Sequence, residues 1–312
     1  MEPADPAYIA LLKSGALALR AKTARKLLKA CTLCPRRCAV DRLNEALGIC
    51  RTGRQAVVAS YDAHFGEEAP LVGRHGSGTI FFSHCNLGCI FCQNYDISHR
   101  GAGRSVSAQE LAEMMLALQH SGCHNINFVT PSHVVPQILA ALQIAADNGL
   151  HIPLVYNTSG YDRVRTLRLL EGVIDIYMPD FKFWDSRAAE QTAGASDYPV
   201  CTRRAIREMH RQVGDLVIDD GGIARRGLLI RHLVMPAGLA GTEQVMAFIA
   251  SEISSDTYVN VMGQYRPCGR AAEMKALATT LDVAALRQAV AAAKGAGLHR
   301  LDRPRRIFAL EC

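Results

Sequence analysis

The chain has 312 residues, 49% of them hydrophobic, enough to bury a large core as one barrel-like domain with an appendage. Its formal net charge is +6 without any lysine–arginine run long enough to act as a nucleic-acid arm, so no nucleic-acid partner is expected. Eleven cysteines would suggest disulfides in a small secreted protein, yet Met1-Glu2-Pro3-Ala4-Asp5 is acidic and lacks the basic start of a secretory signal, so metal and a cytoplasmic location are expected instead.

From the N-terminus, residues 8–30 pattern as a charged helix with Ile9, Leu12, Ala16 and Leu19 on one side. Lys13, Arg20, Lys22, Arg25, Lys26 and Lys29 bar it from spanning a bilayer, and no membrane partner is expected. Cys31, Cys34, Cys38 and Cys50 follow, in Cys-Thr-Leu-Cys-Pro-Arg-Arg-Cys and Gly-Ile-Cys contexts. Pro35 and the glycines mark turns, so this is a knuckle-like loop that could bind zinc or a second iron–sulfur cluster, or hold reduced packing thiols. Residues 55–61 alternate as a strand, and His64, Glu67 and Glu68 form either a polar cluster near an active site or a solvated loop.

The stretch Ser83-His84-Cys85-Asn86-Leu87-Gly88-Cys89-Ile90-Phe91-Cys92-Gln93-Asn94 comes directly after the apolar run Thr79-Ile80-Phe81-Phe82. Three thiolates so close can wrap one metal centre, with Gly88 letting the loop bend. A closed iron–sulfur site takes four cysteines, so Cys85, Cys89 and Cys92 would leave one iron open for chemistry. A zinc site with a distant fourth ligand, or unrelated buried cysteines, are the alternatives.

The Cys-x3-Cys-x2-Cys spacing, with Phe91 before the last cysteine, resembles the signature of the radical S-adenosylmethionine (SAM) superfamily. The longer stretch from Phe81 to Asn94 is similar to the group related to pyruvate formate-lyase activating enzyme. The resemblance extends from about residue 31 to about residue 268, and the same cysteine knuckle precedes the core in that group.

Beyond residue 79, short apolar runs at 79–83, 125–130, 152–156, 173–178, 227–234 and 257–262 alternate with helical patterns at 107–120, 133–148, 161–171, 186–213 (broken), 241–253 and 282–295. Alternation of this kind predicts right-handed βαβ units and a parallel α/β sheet. Six units fall short of a closed eight-fold barrel. A partial (β/α)6 barrel is also what the resemblance implies. The expected division is a helix and cysteine-rich segment at 1–74, the barrel at 75–268 and a helical C-terminal segment at 269–312.

Ligands bind at the carboxyl ends of parallel strands. The second strand ends at Thr130-Pro131-Ser132, where the family usually carries a glycine-rich stretch that receives the amino group of SAM. Thr130 and Ser132 are candidates for that task, and Ser132 is equally a candidate helix cap. The third ends at Asn157-Thr158-Ser159-Gly160, where Asn157 and Ser159 could bond a ribose or carboxylate and an ordinary strand-to-helix turn is the equal alternative. The fourth ends at Asp180-Phe181-Lys182, where the resemblance implies that Asp180 and Lys182 reach towards SAM and an ordinary salt bridge between them is the alternative. Arg231 in the fifth strand lies among apolar residues and needs a carboxylate, supplied by SAM or by an internal Asp or Glu. Gln264 or Tyr265, just after the sixth strand, stands roughly where activating enzymes carry a histidine. Cys123, Cys201, Cys268 and Cys312 match no metal spacing and read as packing or surface thiols. Arg303, Arg305 and Arg306 read as a solvated surface.

The resemblance implies an enzyme in which Cys85, Cys89 and Cys92 hold a [4Fe-4S] cluster and Phe91 shields it. SAM would be cleaved reductively to a 5′-deoxyadenosyl radical that abstracts a hydrogen atom from a substrate. The expected partners are an electron donor such as flavodoxin or ferredoxin and, for an activating enzyme, a glycyl-radical protein. Catalysis on a small molecule or peptide is the alternative, and a non-enzymatic iron–sulfur carrier or zinc-binding interaction protein is the alternative of another class.

Overall fold

All six apolar runs become neighbouring parallel strands. The computed structural model describes residues 5–302, in which nine strands form one sheet. They are β1 (Ala56–His64), β2 (Ser77–Phe82), β3 (Arg104–Val106), β4 (Ile126–Val129), β5 (Leu154–Thr158), β6 (Ile176–Pro179), β7 (Val217–Ile218), β8 (Ala224–Leu233) and β9 (Tyr258–Met262). Their order is β3-β1-β2-β4-β5-β6-β8-β7, with β9 also paired to β8. The strands β2, β4, β5, β6, β8 and β9 pair in parallel, each with the next, which is the partial (β/α)6 arrangement expected. β1 adds antiparallel to β2, so a strand from the N-terminal segment belongs to the same sheet.

Helices cover this sheet, as parallel strands require. In chain order they are α1 (Tyr8–Lys13), α2 (Ala16–Lys26), α3 (Ala69–Val72), α4 (Tyr95–Ser98), α5 (Ala108–His120), α6 (Val135–Asp147), α7 (Val164–Leu169), α8 (Ser186–Ala193), α9 (Tyr198–Val213), α10 (Thr242–Phe248) and α11 (Val283–Gly295). Every residue of β5 and β6 is buried, which explains why these strands read as continuous apolar runs without alternation. α5 starts on a capping box, with Ser107 Oγ accepting from Glu110 N at 3.1 Å and Glu110 Oε2 accepting from Ser107 N at 2.8 Å.

Three local features differ from expectation. The helix at 8–30 breaks at Gly15, which takes φ 73 and turns the second piece. The buried face is therefore Tyr8, Leu17 and Ala24, while Leu19 stands 66% exposed. β1 runs three residues further, to His64, because its pairing with β2 continues to His64–Ser77. The short strands β3 and β7 carry too few residues to show a period.

Asp175 ties the N-terminus down by accepting from Ala7 N at 2.8 Å and Leu154 N at 2.9 Å. No helix among the described residues is long and apolar enough to cross a membrane. Every cysteine among them is a free thiol. Arg303, Arg305, Arg306 and Cys312 lie outside the described residues.

Candidate functional site

The loop after β2 turns back on itself through His84 at φ 67 and Gly88 at φ 73. A Cβ on Gly88 would meet nothing within 4 Å, so this residue faces open space. The turn delivers Cys85, Cys89 and Cys92 to one hollow of about 260 Å³. The Leu87 N–H points at Cys85 Sγ over 3.4 Å. Burial pushes the Cys85 and Cys89 thiols up, opposed at Cys85 first by the Gly88 and Leu87 N–H groups and at Cys89 by Lys182. Phe91 is buried at the same wall, edge-on to Phe183 at 5.9 Å and tilted against Tyr265 at 6.1 Å.

The carboxyl ends of the parallel strands complete the hollow with Thr130, Asn157, Ser159, Asp180, Lys182 and Arg231. Gln264 stands at its exposed rim, where its carbonyl accepts from Gln93 Nε2 at 3.1 Å. Thr130 takes φ 62, a left-handed backbone that β-branched residues rarely adopt. The chain thus adopts, with a threonine, a conformation that glycine enters freely. Ser132 is not brought to the hollow wall: it is buried and bonded to Thr158 Oγ1 at 2.9 Å. The residue at the start of α6 is Val134, without a side-chain cap, so the capping role expected of Ser132 is absent. Ser159 Oγ is buried and has no partner, which leaves a hydroxyl free to bond a ligand.

The Arg231 carboxylate is internal. Arg231 Nε donates to Asp180 Oδ1 at 2.7 Å, Nη2 to Asn157 Oδ1 at 2.7 Å, and Nη1 lies 3.7 Å from Glu67 Oε2. Lys182 Nζ donates to the other Asp180 oxygen at 2.5 Å. Burial alone would push the Asp180 carboxyl up, but Arg231 and Lys182 outweigh it and hold the group below its usual range. Two strand-end cations therefore share one carboxylate inside the hollow.

A second hollow of about 980 Å³ meets the first at Arg231, Met262 and Gln264. Glu67 and Glu68 line it, so the acidic pair after His64 does reach the site. Glu68 accepts from Asn260 Nδ2 at 2.8 Å through Oε1, while its Oε2 is buried without a partner. Burial pushes the Glu68 carboxyl up, against the pull of Arg231. Asn260 was missed in the sequence, although a lone amide in Tyr258-Val259-Asn260-Val261-Met262 was a visible signal.

The four knuckle cysteines, Cys31, Cys34, Cys38 and Cys50, line one small cavity of about 10 Å³ together with Arg42 and His133. Cys123 is buried, and Cys201 lies on α9 beside Asp197 Oδ2 at 3.4 Å. Cys268 is half-buried beyond β9, and none of these three lines either cysteine cavity.

A family model for the radical SAM superfamily matches residues 79–215, from β2 past α9. A match to that model implies an enzyme that uses a [4Fe-4S] cluster and SAM. The residues present fit such a group. Three thiols line one cavity, an N–H is aimed at one sulfur, and an unpartnered serine hydroxyl and two cations lie at the strand ends beside them. As they stand, no three His, Cys, Asp or Glu side chains among the described residues form a preassembled metal site. The uncharacterized protein MJ0674 of Methanocaldococcus jannaschii is 34% identical over 269 residues, covering 84% of this chain and 73% of that protein. Such similarity across most of both chains, with the model match spanning the cysteine loop and the strand ends beside it, makes this chain a member of the radical SAM superfamily.

Proposed function

We propose that Cys85, Cys89 and Cys92 hold the [4Fe-4S] cluster, that SAM occupies the hollow between them and the strand ends, and that the chain activates a glycyl-radical protein. The observation that carries this reading is the shared cavity of three thiols with Asp180, Lys182 and Arg231. When bound, the cluster and SAM supply one-electron cleavage of SAM and removal of a hydrogen atom from the substrate.

The protein's own part is to bind, orient and exclude water. Ligation takes the proton from each thiol, which burial otherwise holds on at Cys85 and Cys89. The Leu87 N–H steadies the Cys85 sulfur, and the ring pair Phe91 and Phe183 screens that side from solvent. Asp180 holds the Lys182 and Arg231 heads in place, so a carboxylate ligand meets donors already oriented. The Ser159 hydroxyl and Asn157 amide are the neutral groups beside them. The 980 Å³ hollow beyond Arg231 is large enough to admit a peptide loop. A cytoplasmic flavodoxin or ferredoxin is the proposed reductant.

A second reading is favoured by Glu68, whose unpartnered buried Oε2 lies at that hollow and suits a small substrate with an N–H or O–H donor. The test is to purify the chain anaerobically, reconstitute it, reduce it with dithionite, add SAM and measure 5′-deoxyadenosine. Product from the native chain and none from a Cys85→Ala, Cys89→Ala, Cys92→Ala variant is the expected result. An unperturbed cluster and no cleavage would favour an electron carrier. Adding a candidate glycyl-radical protein and looking for its radical by electron paramagnetic resonance separates the two enzyme readings.

A further inference from the structure

Cys31, Cys34, Cys38 and Cys50 come from one winding loop, yet their side chains line a single cavity. Gly48 passes so close that a Cβ there would lie 2.8 Å from Cys38 Sγ. Arg42 reaches into the same cavity and is only 1% exposed. Its Nε donates to Gly53 O at 3.1 Å and its Nη1 to His133 O at 2.8 Å, with Cys31 Sγ at 3.7 Å from the same nitrogen. Its Nη2 is buried with no partner, and none of the ion pairs among the described residues includes Arg42. His133 lines the same cavity; its Nε2 bonds Ser83 O at 3.0 Å, which leaves the lone pair of Nδ1 buried and unpaired.

A guanidinium is always charged, and burying one with no anion beside it is costly. Four neutral thiols supply no anion. Four thiolates around a centre of charge about +2 leave a net charge of about −2, for one zinc ion and for a [4Fe-4S]2+ cube alike. We propose that Cys31, Cys34, Cys38 and Cys50 form a closed tetrathiolate metal centre, and that Arg42 is its buried counter-charge, donating to its sulfur. Binding releases the four thiol protons and changes no oxidation state. With four protein ligands the centre has no open position, so its task is structural or electron-conducting, not substrate binding. The inference is independent of the reading above, because its first test uses a chain without Cys85, Cys89 and Cys92.

The full chain carrying Cys85→Ala, Cys89→Ala and Cys92→Ala is purified anaerobically, and iron, sulfide and zinc are counted. About four irons with matching sulfide, or about one zinc, per chain supports the centre and names its metal. Neither metal, in a variant with native circular dichroism, overturns it. In the native chain, thiol alkylation mapped by mass spectrometry with and without a chelator provides a readout that needs no variant. Labelling of the four cysteines that appears only after chelation supports the centre, and equal labelling in both samples overturns it. Arg42→Met is expected to lose its metal to a chelator about 10–100 times faster than the native chain, with Arg42→Lys in between. An unchanged rate in Arg42→Met would remove Arg42 from the proposal.

Discussion

Arg36 reaches from the cysteine knuckle to the loop of the other three cysteines, where its Nε donates to Asn86 O at 3.0 Å. Its Nη2 donates to Leu87 O at 2.9 Å and Ala193 O at 2.8 Å, and Nη1 bonds Gly194 O. The guanidinium also lies over the Tyr161 ring, 5.3 Å from its centre. One side chain thus joins the knuckle, the cysteine loop and the end of α8. Arg36→Ala is expected to cost about 2–4 kcal/mol, since several carbonyls lose a charged donor. It should also lower the iron content after reconstitution. Thermal unfolding and iron analysis check this, and Arg36→Lys should recover only part, because an ammonium cannot fork to several carbonyls.

Removing the shared carboxylate at the strand ends should hurt both stability and turnover. Asp180→Asn leaves Lys182 and Arg231 as buried cations with less compensation, and breaking such a set costs about 3–5 kcal/mol. SAM cleavage is expected to fall by at least about tenfold, followed as 5′-deoxyadenosine. Asp96 and Arg100 pair at 2.8 Å with both side chains at least 70% exposed, so Asp96→Asn should leave the melting temperature unchanged.

His232 makes acid destabilising. Its Nδ1 bonds Phe181 O at 2.7 Å and its Nε2 bonds Thr242 Oγ1 at 2.9 Å, so the ring is held neutral with its proton on Nδ1. Burial lowers its pKa to about 4. The unfolded chain then binds more protons than the folded one between about pH 4 and the usual histidine value of about 6.5. Stability is full above that window and is lost as pH falls through it, on the order of 3 kcal/mol for this residue. Asp175, pushed up to about 6 by burial, works in the opposite direction over much of the same range. His232→Gln should therefore flatten the acid limb of a denaturation-versus-pH curve, and an unchanged slope would show that another group sets it.

Backbone strain separates two glycines and one threonine. A Cβ on Gly160 would lie 2.3 Å from the Asp180 carbonyl, at φ 78, so Gly160→Ala must displace the strand end that carries Asp180. Gly88 at φ 73 has open space, and Gly88→Ala should cost only the left-handed penalty of about 1–2 kcal/mol. Gly160→Ala should cost more and also reduce SAM cleavage. Thr130 already bears that penalty at φ 62, so Thr130→Gly should leave stability within about 1 kcal/mol of the native chain, measured by urea unfolding.

The sequence by itself determined the main elements and the grouping of three cysteines in one loop. Strands 79–83 to 257–262 were legible because parallel strands covered on both faces are local apolar runs, and the grouping of Cys85, Cys89 and Cys92 because residues of one short loop stay close together. Asp180, Lys182 and Arg231 could be placed at one face by the rule that strand ends carry sites. Only the tertiary structure decided how they pair. The carboxylate answering Arg231 is Asp180, 51 residues away, with Glu67 further off still, and no local pattern records a pairing set by strand order. The break at Gly15 rotated the N-terminal helix face, since one left-handed residue resets the helical phase. Arg36 and Arg42 were unreadable for a further reason. Their partners are mostly backbone carbonyls, at Asn86, Leu87, Gly53 and His133, and a carbonyl has no residue identity to find in a sequence.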